Sequence, residues 1–241
     1  MKLLLIRHGD PNYESDGLTE TGTQEALALA ERIAPLAVRD YYVSPMGRAR
    51  ATAAPTLERA GREAEVCGWL REFDVPVRRP DRADSPIPWD WLPQDWTKET
   101  RFFSHDQWRE VPAFREAGVG EAYDRVTEAF DALLARHGYV REGGLYRVTA
   151  PNEDRLVFFC HLGLSCVLLS HLLNCSPMVL WHGLAMAPSS VTTLNSEERR
   201  PGFAQFRAAA IGDISHLYVK GREPSFAARF CETYGNGDRV D

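Results

Sequence analysis

The sequence has no surplus of positive charge: 28 Lys and Arg stand against 34 Asp and Glu, a net charge of −6. A chain so balanced has no general attraction to nucleic acid or to an anionic membrane surface, so any anion site must be built locally. It also lacks a long apolar run, and nothing approaches the roughly 18 residues of a membrane span. At the start, four apolar residues follow Lys2 before Arg7 and His8 interrupt them. That is too short for a signal peptide, so a cytoplasmic protein is expected. The five cysteines (Cys67, Cys160, Cys166, Cys175 and Cys231) include no Cys-x-x-Cys pair of the kind zinc or redox work needs. Scattered, odd in number and mostly in apolar surroundings, they read as free buried thiols. There is no internal repeat.

What is present fits a soluble globular protein: 44% apolar and 26% charged residues over 241 positions. Residues 1–6 form an apolar run, as expected of a strand buried in a parallel sheet. The turn formers of 10–17 follow, then a helix capped by Thr19 or Thr21, with Gln24 three residues after Thr21 as in a capping box. Its apolar stripe runs through Ala26, Leu29, Ala30, Ile33 and Ala37 at helical spacing. Tyr41-Tyr42-Val43 reads as a second strand, Ser44-Pro45 as the turn into a helix near 46–60, and 64–67 as a third short strand. Alternating strand and helix predict parallel pairing with right-handed crossovers.

The pattern breaks between Pro76 and Pro112, where six of fifteen prolines and four of six tryptophans fall. Such a stretch is too aromatic for a disordered linker and too proline-rich for core elements, so an ordered excursion over the sheet, a lid, is expected. Regularity returns with a helix near 121–136 and a hairpin around Gly143-Gly144. Leu156-Val157-Phe158-Phe159-Cys160 follows, the most apolar strand of the chain, running into His161-Leu162-Gly163 and a helix to about Leu173. Strands at 189–194 and 203–209 complete the expected order, and 235–241 should fray. The fold class is α/β: a three-layer α/β/α sandwich with a mainly parallel central sheet, one domain over 1–241, with the inserted lid at about 76–118.

Two strands therefore end alike, one in Arg7-His8-Gly9 and one in His161-Leu162-Gly163. If both are central and parallel, both imidazoles lie at the carboxyl edge, where ligands collect in open α/β sheets. A third strand end leads to Ser44-Pro45-Met46-Gly47-Arg48 at a helix N-terminus, which itself favours anions. Two histidines and two arginines would then converge on a group carrying spread negative charge, as phosphoryl transfer requires. A neutral histidine can attack phosphorus if its other ring nitrogen holds the proton. The leaving oxygen needs an acid; Glu72, in Trp69-Leu70-Arg71-Glu72-Phe73, has apolar neighbours that raise a carboxyl pKa, and Asp74 is the alternative. His105, His137, His171 and His182 read as structural, Arg50 as an exposed helix residue, and the tryptophans as packing. Two other mechanisms fail on one residue each. Gly163-Leu164-Ser165-Cys166-Val167 has Val where a nucleophile elbow needs Gly, and a Cys-x5-Arg loop from Cys160 would need Arg at Cys166.

In order along nearly the whole chain, these segments resemble the histidine phosphatase superfamily, also called phosphoglycerate mutase-like. They are Arg7-His8-Gly9, Ser44-Pro45-Met46-Gly47-Arg48-Ala49-Arg50-Ala51-Thr52-Ala53, Leu70-Arg71-Glu72 and the late strand ending in His161. Gly212-Asp213-Ile214-Ser215-His216-Leu217 resembles the closing segment of many members, with His216 fixing a turn. The resemblance implies catalytic roles for His8 as nucleophile and phosphohistidine, Glu72 as proton donor, and His161. Arg7, Arg48 and His161 would bind phosphate, and neither metal nor cofactor would be needed. The implied activity is hydrolysis of a small phosphorylated substrate, with no nucleic acid or membrane partner; a mutase-type phosphotransferase and a weakly catalytic phosphate-binding module are the alternatives. The sequence departs from the family pattern at Leu162, where glycine is usual, and at Asp10-Pro11. It also lacks the mutase run Asn-Glu-Arg-His-Tyr around Glu72. Substrate and oligomeric state are left open.

Overall fold

The computed structural model describes residues 1–225; Cys231 and the segment 235–241 lie outside the described residues. Strand β1 (Lys2–Arg7) leads through a small ribbon, β2 (Pro11–Asn12) and β3 (Gly17–Leu18), into α1 (Glu20–Ile33). Then come β4 (Asp40–Val43), α2 (Gly47–Ala60) and β5 (Glu65–Val66). The excursion contains only short helical turns, among them α3 (Pro93–Trp96) and α4 (Pro112–Ala117), before α5 (Val119–Arg136). Hairpin β6 (Tyr139–Glu142) and β7 (Leu145–Val148) precedes β8 (Arg155–Cys160), α6 (Leu162–Leu173) and α7 (Pro177–Gly183). The long hairpin β9 (Val191–Arg200) and β10 (Phe203–Asp213) is followed by α8 (Ser215–Tyr218).

The strands other than β2 and β3 form one mixed sheet in the order β5-β4-β8-β1-β9-β10-β7-β6. Its site-bearing half, from β5 to β1, is parallel; from β1 through β9 to β6 neighbours run antiparallel. Helices cover both faces, and strand alternation decides which residues meet which layer. Leu4, Ile6, Val157 and Phe159 pack with Leu29, Ile33, Ala49 and Ala53 of α1 and α2. Leu3, Leu5, Phe158 and Cys160 join a larger core with Phe130 of α5 and Leu164 and Leu168 of α6.

Of the two threonines expected to cap α1, Thr19 does so, its hydroxyl accepting from the Gly22 N–H at 3.0 Å. Ala34 keeps helical backbone geometry as the cap, but Pro35 has no N–H to continue the ladder, so α1 ends at Ile33 and Ala37 falls outside its stripe. The last hairpin is longer than its apolar pattern because the ladder continues through the polar stretch 196–200, where side chains give no alternating signal. The excursion is no loose cover: Trp89, Trp91, Trp108, Phe102 and Phe114 belong to the main core. Among the described residues no helix is long and apolar enough to cross a membrane.

Candidate active site

β1 and β8 are adjacent, parallel and in register, Arg7 opposite Cys160, so their following residues emerge at one level of the sheet edge. There His8 and His161 bring their rings to 5.2 Å between centroids. His8 donates its backbone N–H to the Cys160 carbonyl at 3.0 Å, and its own carbonyl accepts from Ser189 N–H at 3.0 Å. Arg7, His8, Arg48 and His161 are all buried, with 0–7% of their surface exposed.

The His8 side chain is held in one orientation. Its Nδ1 lies 2.8 Å from the Gly9 carbonyl oxygen. A carbonyl can only accept, so the proton sits on Nδ1 and the Nε2 lone pair is available. Burial drives the His8 pKa well below its ordinary value, and Arg7 and Arg48 push the same way against the Gly9 bond. His161 is depressed for the same main reason, with His8, Arg48 and Arg7 adding to burial. Its Nε2 pairs with Ser44 Oγ at 2.8 Å, while its buried Nδ1 has no partner among the described residues.

Arg48 enters from the first turn of α2. Its Nη1 donates to Asp16 Oδ1 at 2.6 Å, and Gly47 N–H donates to Asp16 Oδ2 at 2.6 Å, so one carboxylate sets both the helix start and the guanidinium. The Tyr13 ring lies 5.6 Å from the Arg48 guanidinium carbon. Arg7 donates from Nη1 to the Met186 carbonyl at 2.7 Å. The buried Nε of Arg48, like Nδ1 of His161, has no partner among the described residues. Buried polar groups are rarely left so, and these two, one of them within the Arg48 guanidinium itself, could hold an anion.

Glu72 stands at the N-terminus of α6. Its Oε1 accepts from Phe73 N–H at 2.8 Å and from Leu164 N–H at 2.9 Å. Burial raises its pKa, outweighing those bonds and the pull of Arg7 and Arg48. The carboxyl, both arginines and both imidazoles thus share one electrostatic field. Asp74, the alternative acid, is exposed and two residues further along the chain.

Four supporting residues, three of them inside the quoted motifs, were given no role in the site by the sequence reading. Thr52 accepts from Gly9 N–H at 2.9 Å; it lies one helical turn after Arg48, a spacing that could have flagged it. Ser44 was legible only as a turn residue, and Asp16 sits among turn formers that conceal a positioning role. Gly163 is needed because a Cβ there would overlap the Trp89 indole. His216 does fix a turn: its Nε2 meets Ser189 Oγ at 3.0 Å beneath the His8 strand end. His182, His171 and His137 make structural contacts, with Trp91 N–H, Asp131 and Tyr42 in turn. Among the described residues no group of three His, Cys, Asp or Glu is placed to hold a metal ion.

Comparison with known proteins agrees with the fold and gives the family. A Schizosaccharomyces pombe protein named "probable phosphatase" is 40% identical over 67 residues, which are 24% of this chain and 32% of the yeast protein's length. A phosphoserine phosphatase from Entamoeba histolytica superposes with a TM-score of 0.59 at 18% identity, covering 90% of this chain and 98% of the other. A mycobacterial glucosyl-3-phosphoglycerate phosphatase does so with a TM-score of 0.57 at 21% identity, covering 88% and 98%. At these identities the two structures speak for the fold alone. The profile of the histidine phosphatase superfamily (branch 1) matches residues 3–208, and this chain belongs to that family.

Proposed function

We propose that the protein hydrolyses a small phosphomonoester through a phosphohistidine on His8. The observation that carries this reading is the 2.8 Å contact between His8 Nδ1 and the Gly9 carbonyl, which leaves Nε2 as the nucleophile. In the first step Nε2 bonds to phosphorus and the ester P–O bond breaks, while Glu72 passes its proton to the departing alcohol oxygen. In the second, water attacks phosphorus and gives a proton back to Glu72. The P–N bond breaks, releasing phosphate and restoring neutral His8. Arg7, Arg48 and His161 hold the phosphoryl oxygens through both steps, where positioning and charge stabilisation supply most of the rate.

The whole chain acts in this reading as one catalytic domain, with 76–118 forming a fixed wall beside the site. The solved relatives point to small phosphorylated ligands: structures of the Entamoeba enzyme hold phosphoserine or 3-phosphoglyceric acid. The test is turnover of p-nitrophenyl phosphate in the presence of a chelator, together with trapping of an acid-labile phosphoenzyme. Wild type should hydrolyse the ester and label, and His8→Ala should do neither. A His8→Ala variant that keeps its turnover, or activity abolished by chelator alone, would overturn the scheme.

A further inference from the structure

Besides meeting Leu164, Glu72 lines a cavity of about 380 Å³ together with Trp69, Arg71, Asp74, Arg125 and Val126. A general acid must reach the oxygen that it protonates, so whatever is attached to that oxygen occupies space that the acid borders. Of the residues assigned to the chemistry, Glu72 is the one that borders this cavity. Arg71, the residue before Glu72 in the chain, stands on the same wall.

The lining of this cavity has a definite sign. Arg71 and Arg125 are both exposed, and among the described residues neither guanidinium is engaged in a hydrogen bond or ion pair. Neighbouring arginines differ: Arg109 is paired with Asp124 of α5, and Arg136 of the same helix with Glu65. Two uncommitted cations thus face one carboxylate, Asp74, with Glu72 uncharged when it carries the proton to be donated. Trp69 and Val126 give an apolar side on which a short carbon stem can lie.

We propose that this cavity receives the leaving group of the substrate, and that this group carries a second anion, a carboxylate or phosphate, bound by Arg71 and Arg125. The inference rests on the phosphatase reading above and adds the substrate class. Guanidinium forks suit both anions, and the bound group would be held on the Glu72 side of the scissile bond.

Matched esters test it. 3-Phosphoglycerate is compared with glycerol 1-phosphate, which lacks the carboxylate, and fructose 1,6-bisphosphate with fructose 1-phosphate, which lacks the second phosphate. Wild type should favour the more anionic member of one pair by about tenfold or more in kcat/KM, the scale of one charge-assisted hydrogen bond. The pair that shows the preference identifies the anion. Arg71→Gln and Arg125→Gln should each shrink that ratio severalfold; because the ratio is taken within each variant, a general loss of folded enzyme cancels. Hydrolysis of p-nitrophenyl phosphate without preference in either pair overturns the cavity proposal alone, as does a preference that both variants retain. If no ester is hydrolysed, the phosphatase reading fails, and calorimetric binding of the same pairs then decides the cavity: equal affinities overturn it.

Discussion

At the residue scale, one cause, burial, moves the two ends of the chemistry in opposite directions. It lowers the pKa of His8, favouring the neutral imidazole that the proposed nucleophile needs, and raises that of Glu72, favouring the protonated carboxyl that the proposed acid needs. The pH dependence of kcat should follow. Protonation of His8 removes activity only well below its ordinary value of 6.5, and ionisation of Glu72 sets the alkaline limb, above the ordinary 4.5. Glu72→Gln should abolish that alkaline limb and lower kcat by roughly 10²–10⁴ on poor leaving groups; a limb that persists would assign it to another group. His216 gives a stability prediction. Burial, aided by Arg32 and opposed by Asp213, lowers its pKa to about 4 from 6.5. The unfolded chain therefore binds this proton first, so the stability is complete above pH 6.5 and is lost as pH falls toward 4. Denaturant midpoints measured across that range should fall less steeply in His216→Gln than in wild type.

At the scale of elements, the contact between α6 and the excursion is the most restrictive. Gly163, in the first turn of α6, accepts the Trp181 indole N–H on its carbonyl at 3.0 Å while Trp89 lies against its Cα. Phe73, next to Glu72, stacks on the same Trp181 at 5.6 Å. Gly163→Ala should therefore cost about 1–3 kcal/mol by overpacking. Adding Trp89→Leu should recover most of that loss, read from urea unfolding; no recovery would place the strain elsewhere. The strands that carry the two histidines were legible because an apolar run ending in an imidazole is a local pattern. Asp16 was not, since its role depends on where a ribbon of two-residue strands brings it against α2. The excursion was legible as ordered but not in shape: its turns are fixed by ring contacts such as Trp91 with Phe102 at 5.3 Å and Trp89 with Trp181 at 5.8 Å, which follow no sequence period.

At the scale of the whole molecule, tryptophans of the excursion share a core with the sheet, so 76–118 should not unfold by itself. Tryptophan fluorescence and far-ultraviolet circular dichroism should give coincident denaturant transitions; an earlier fluorescence change would mark the excursion as a separate unit. The parallel pairing of the central sheet, though not its strand order, was readable from alternating strands and helices. In its antiparallel half the β6–β7 hairpin was readable from Gly143-Gly144, but the pairing of β10 with β7 was not, because it joins segments that no local pattern connects. The in-register pairing of β1 with β8 also bears on how the protein is made. Lys2 pairs with Arg155 and Arg7 with Cys160, so β1 has no parallel partner until about 150 further residues have been made. Closing so long a loop is slow compared with forming local helices. A nascent chain halted before β8 would hold Arg7, His8 and Arg48 without His161. The proposed activity would then arise late in synthesis and all at once, with the arrival of His161.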